Sequence, residues 1–179
     1  DFDFSFGWNY NSLNRGYFPT KGVKASLGGR VTIPGSDNKY YKLSADLQGF
    51  YPLDRDHRWV LSGKATASYA NGLGGKRVPF YQLYTAGGIG SLRGFAYGAV
   101  GPNAIYQDKY GQWYQSTDVV GGNAMATASV ELIVPTPFVG DKSQNSVRTS
   151  LFVDAASVWN TKWKSDKERS EERRVGKEC

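Results

Sequence analysis

The chain has 179 residues, a formal net charge of +6, 15% aromatic residues and 22 glycines, with 21% of its residues charged. That length suffices for one domain with a sizeable core, and basic residues scattered singly rather than in a stripe argue against a nucleic-acid partner. No run of about 18 apolar residues exists, which excludes a transmembrane helix and leaves a transmembrane barrel open, for which the abundant Tyr and Trp suit a membrane interface.

The first residues alternate. Phe2, Phe4, Phe6, Trp8 and Tyr10 fall on one parity and Asp1, Asp3, Ser5, Gly7 and Asn9 on the other, as in a strand with one apolar and one wet face. Residues 11–22, with Asn14, Gly16, Pro19 and Gly22, form a turn region. A second strand sets Val23, Ala25, Leu27, Gly29, Val31 and Ile33 against Lys24, Ser26, Gly28, Arg30 and Thr32, and a polar turn over 34–38 follows. The third sets Tyr41, Leu43, Ala45, Leu47 and Tyr51 against Lys42, Ser44, Asp46 and Gln48, before a turn over 52–56. The fourth sets Trp59, Leu61, Ala65, Ala67 and Tyr69 against Arg58, Ser62, Lys64, Thr66 and Ser68.

After Ala70 the alternation stops for about fifty residues. It resumes with Ala124, Ala126, Ala128, Val130 and Leu132 against Thr127, Ser129 and Glu131, and Pro135 and Pro137 end that strand. The sixth sets Val147, Thr149, Leu151, Val153 and Ala155 against Arg148, Ser150, Phe152, Asp154 and Ala156. Strands of about ten residues match a tilted bilayer crossing, and Trp8, Tyr10, Tyr41, Tyr51, Trp59, Tyr69 and Trp159 sit at the ends of the apolar parity as an interfacial girdle would. The expected fold is all-β: a partial antiparallel transmembrane barrel over 1–163. Six strands cannot close a barrel, so the segment is expected to be part of a larger one.

The long connection, 71–121, contains the stretch Ala86 to Pro102, with six glycines around one arginine, Arg93. So many glycines suit neither helix nor strand, and aromatics among them predict a docked loop. The wet parity supplies two carboxylates on the strands beyond it, Glu131 and Asp154; Asp118, before the fifth strand, is less well placed. From the residues alone, Arg93 reads equally as a solvated loop arginine, and Glu131 and Asp154 as ordinary lumen-facing polar groups.

Leu92-Arg93-Gly94-Phe95 resembles the loop motif of the family that assembles or secretes outer-membrane proteins. The span 1–163 resembles the C-terminal barrel of its insertase branch, through 14–20, 31–36, 72–76, 121–126 and 146–150 as well. The resemblance implies about six of sixteen strands, with 71–121 as an extracellular loop folded into the lumen. It implies a bacterial outer-membrane location and a role in inserting β-barrel proteins. It also implies that POTRA domains and the remaining strands lie outside this segment, so that the segment alone has no insertase activity. Arg93 would then pair with acidic groups of the barrel wall, here Glu131 and Asp154, with Leu92, Gly94 and Phe95 completing the motif. Gly94 would let the backbone turn and Phe95 would anchor by packing. The partners implied are outer-membrane lipid, nascent β-barrel substrates and accessory assembly lipoproteins. A transporter of the two-partner secretion or TamA type shares the loop motif and is the alternative; a porin would need none of it.

Catalysis is not expected. Gly72 to Arg77 departs from a phosphate loop in its first glycine and in placing Arg77 where Ser or Thr would meet magnesium. His57 is the lone histidine, in a polar turn with no serine placed near it, and no cofactor or metal is implied. From Lys162 the chemistry turns abruptly charged, and residues 169–179 resemble a translated sequencing adapter, so 164–179 is expected to be a non-native or disordered tail. The only cysteine, Cys179, goes with it.

Overall fold

Period-2 alternation becomes one antiparallel sheet. A computed structural model describes residues 2–33, 35–136 and 148–162. Its strands are β1 (Asp3–Asn11), β2 (Gly22–Thr32), β3 (Tyr40–Pro52), β4 (Val60–Gly72), β5 (Asn103–Gln107), β6 (Trp113–Val119), β7 (Ala124–Val134) and β8 (Thr149–Trp159). Six of them pair in the order β1-β2-β3-β4-β7-β8, and β5 and β6 form a separate hairpin. The strands of the large sheet run nine to thirteen residues, the length a tilted crossing needs. Among the described residues β1 and β8 are its two edges, so the sheet is open here and belongs to a partial barrel. No described helix is long and apolar enough to cross a membrane, which says nothing of a barrel.

Exposure follows parity. Phe4, Phe6, Trp8 and Tyr10 on β1, Leu27 on β2, Leu43 and Leu47 on β3, and Leu151 and Val153 on β8 are all exposed on one face. A soluble sheet buries this parity; here it is the outer face, suited to lipid. The opposite face carries Lys42, Lys64, Ser129, Glu131 and Asp154, and the long connection lies against it. One buried cluster sits where that connection enters the sheet, around Tyr40, Ala70 and Val78, with Leu83 and Tyr84 packed on it.

The sequence reading differs from the structure in one element. The segment 71–121 is not loop throughout, because β5 and β6 pair within it around Asp108 and Gly111. A register shift between Asn103 and Ile105 breaks the phase of the hairpin, which hides it from a period-2 reading. Strand ends move by one to three residues: β4 continues to Gly72 and β8 to Trp159. Pro34, Pro137, Ser146, Val147 and the 164–179 tail lie outside the described residues.

Candidate functional site

The connection reaches the wet face because its backbone is pinched into a narrow stem. Tyr84 and Gly122 exchange both backbone hydrogen bonds, at 2.8 and 2.9 Å, and Ala86 and Val100 do the same at 2.8 and 2.9 Å. Beyond this stem the chain knots on itself. Gly88 N–H donates to the Phe95 carbonyl and Leu92 N–H to the Gly88 carbonyl, both at 3.0 Å. The Ser91 hydroxyl accepts from Gly87 N–H and donates to the Gly87 carbonyl. Two glycines make this possible: a Cβ on Gly87 would strike the Ala96 carbonyl, and Gly94 has φ of +86°. Leu92 is buried at 7% exposure. Phe95 is 55% exposed in this segment, and Leu92 is the buried apolar residue of the motif.

The tip presents Arg93 to β7 and β8. In that ladder Ser129 stands opposite Asp154 and Glu131 opposite Phe152, so four wet-face side chains form one square. Arg93 fills it. Its Nε–H donates to Asp154 Oδ2 at 2.8 Å and its Nη2 to Asp154 Oδ1 at 2.7 Å, a bidentate fork. Nη2 also donates to the Ser129 hydroxyl at 2.8 Å and Nη1 to Glu131 Oε2 at 3.0 Å. The Arg93 backbone N–H donates to Asp154 Oδ2 at 3.0 Å. The guanidinium carbon lies 3.5 Å from the Phe152 ring centroid, a cation–π contact. The Asp154 side chain is only 5% exposed, against 24% for Arg93 and 27% for Glu131. Hydrogen bonding to Asp154, above all, raises the Arg93 pKa above the ordinary arginine value, with Glu131 adding to it against the opposing effect of burial.

Two lysines of the wall add ties. Lys64 Nζ donates to the Gly90 carbonyl at 3.2 Å. Lys42 Nζ donates to the carbonyl and the side-chain oxygen of Gln82, both at 3.1 Å, and lies 4.6 Å from the Tyr84 ring centroid. The loop therefore touches β3, β4, β7 and β8 from inside.

The structure thus brings together Arg93, Glu131 and Asp154, and places Leu92 and Gly94 in the knot that aims the arginine. Asp118 lies on β6. Sequence reasoning missed Ser129, Phe152, Lys64 and Lys42. Phe152 carried the clearest signal, as a large apolar residue on the wet parity; Ser129 had only its parity with Glu131. His57 Nδ1 lies 2.9 Å from the Thr20 hydroxyl, away from this site. Among the described residues no three His, Cys, Asp or Glu side chains stand close enough to hold a metal ion.

The family model for the Omp85 superfamily domain matches residues 1–177. The outer membrane protein assembly factor BamA of Neisseria meningitidis serogroup B (strain ATCC BAA-335 / MC58) is 36% identical over 165 residues, which are 92% of this chain and 19% of that protein. The crystal structure of BamA from Haemophilus ducreyi lacking POTRA domains 1-3 matches with a TM-score of 0.89 at 59% identity, covering 96% of this chain and 32% of that one. The chain thus spans well under half the length of either relative.

Proposed function

The chain belongs to the Omp85 superfamily, and from that membership we propose that it is a segment of the membrane barrel of an outer-membrane protein assembly factor, braced from inside by its long loop. Its place is the bacterial outer membrane, with the exposed apolar parity of the sheet against lipid. The whole barrel, in this reading, takes nascent β-barrel proteins as substrates and works with accessory lipoproteins docked on parts outside this segment. It performs no bond chemistry. Both relatives aligned over nearly the whole chain are assembly factors, which favours this reading over a secretion transporter.

The observation that carries the brace is the Arg93 constellation. A guanidinium held by two carboxylates, a hydroxyl and a ring fixes the loop tip to β7 and β8. The lysine ties to β3 and β4 extend the attachment to two further strands. An internal strut of this kind holds the lumen's cross-section while an edge of the barrel engages a client. Arg93→Ala in the full-length barrel should lower the temperature at which its folded, fast-migrating gel band converts to the unfolded one. It should also slow accumulation of client barrels in the outer membrane. A variant equal to wild type in both would sink the brace.

A further inference from the structure

At the end of the sheet opposite the long loop, β1 and β2 are joined by residues 12–21, and Arg148 stands immediately before β8. Four strand spacings separate β2 from β8 in the sheet order, about 19 Å along a flat sheet. Yet Arg148 Nη2 donates to the Pro19 carbonyl at 2.7 Å, and its guanidinium carbon lies 5.2 Å from the Phe18 ring centroid. The 12–21 connection therefore leans over the wet face and meets the far wall.

Its neck is built independently of that contact. Asn14 Oδ1 accepts from the backbone N–H groups of Thr20 and Lys21 at 3.0 and 3.1 Å, and Asn14 Nδ2 donates to the Thr20 hydroxyl at 2.8 Å. That hydroxyl, on a residue only 6% exposed, also meets His57 of the β3–β4 turn. The tip beyond the neck carries Tyr17, 83% exposed, and Phe18. Phe18 and His57 have φ of +46° and +55°, the two described non-glycine residues in the left-handed region, and both flank this contact. Bulky residues held there store strain that a shifted loop relieves.

We propose that residues 12–21 form a strap across the lumen mouth opposite the long loop, clasped to β8 by Arg148, and that release of the clasp opens that mouth. The chemistry of the two arginines separates a fixed tie from a releasable one. Arg93 is held by two carboxylates. Among the described residues Arg148 instead meets a neutral carbonyl and a ring. Burial lowers the Arg148 pKa below the ordinary value; Glu131 opposes that, and the like charge of Arg15, on the strap itself, adds to it. Tip and neck together make a hinged cover, the neck staying formed while the tip moves.

The test is limited trypsinolysis of the purified full-length barrel in detergent, reading cleavage after Arg15, which is exposed on the tip of the strap. Arg148→Ala should speed this cleavage about tenfold, the scale of losing a hydrogen bond from a charged donor. It should also raise the time spent at high conductance in planar bilayers. Arg148→Lys, which keeps the charge at the wall and guards against misfolding, should fall between. Lys42→Ala, at the opposite end of the sheet where the long loop enters, should leave strap cleavage at the wild-type rate. Wild-type cleavage in both Arg148 variants, or a gain in Lys42→Ala as large as in Arg148→Ala, would overturn the strap.

Discussion

Ser129 and Asp154 face each other across the β7–β8 ladder, and the Ser129 hydroxyl donates to Asp154 Oδ1 at 2.6 Å. The carboxylate is thereby oriented by its own wall before the loop arrives. Arg93 then adds a fork to an acceptor already fixed in position, so less side-chain freedom is lost on docking.

Removing Asp154 should therefore cost most. Asp154→Ala leaves a shielded guanidinium with Glu131 as its one carboxylate and should destabilise the folded full-length barrel by about 3 kcal/mol. Ser129→Ala deletes one neutral acceptor and one orienting donor and should cost about 1 kcal/mol. Denaturant unfolding of the purified barrel reads both, and equal losses would contradict the ranking.

Arg93→Lys keeps the charge and discards the plane. An ammonium cannot make the two-pronged contact with Asp154 while lying flat on Phe152, so the substitution should lose about 1–2 kcal/mol. A double-mutant cycle with Phe152→Leu isolates the ring. Coupling of about 0.5–1 kcal/mol is expected, and zero coupling would mean that the ring is a bystander.

The knot makes two glycines unequal. An alanine at Gly94 meets open space and suffers only from its φ, about 1–2 kcal/mol. At Gly87 the φ is +131° and the Cβ also collides with the Ala96 carbonyl, so the backbone must move. Gly87→Ala should be the more damaging, read as a larger drop in the gel-conversion temperature; the reverse order would mean that the knot is looser than described.

Burial pushes the Tyr84 phenol up to about 12 from 10.0. Below pH 10 the phenol is protonated in the folded and unfolded chain alike and its contribution is fully present. Between pH 10 and about 12 the unfolded chain ionises first, so the folded state binds more protons and stability falls as pH rises. Tyr84→Phe should flatten that part of the alkaline unfolding profile relative to wild type. Parallel profiles for the two proteins would remove Tyr84 from the titration.

The six strands of the wall were legible because a membrane barrel writes its two solvents into alternate residues. Phe4, Phe6 and Trp8 on β1 leave little choice of face. Glu131 and Asp154 were legible by the same parity. The β5–β6 hairpin was not, since Ala104, Ile105 and Tyr106 run consecutively through a register shift. Its clearest mark was the turn Asp108 to Gly111 between aromatic, strand-forming residues. Ser129 was unreadable as a ligand because serine is unremarkable on a wet face, and Lys64 because its partner is a backbone carbonyl. Contacts to backbone depend on where a loop ends up, and side-chain type says little about them.

The pairing of β4 with β7 brings together strands that lie about fifty residues apart along the chain. Closing a loop of that length carries an entropy cost of about 3–4 kcal/mol before any ladder bond repays it. The β7–β8 hairpin can form first and assembles the Ser129, Glu131, Asp154 and Phe152 square on its own. Capture of Arg93 by that square would divide the long closure into two shorter ones and deliver β4 to its partner. Arg93→Ala should then slow refolding of the purified full-length barrel as well as hasten its unfolding, and an unchanged refolding rate would leave the arginine to the finished wall alone.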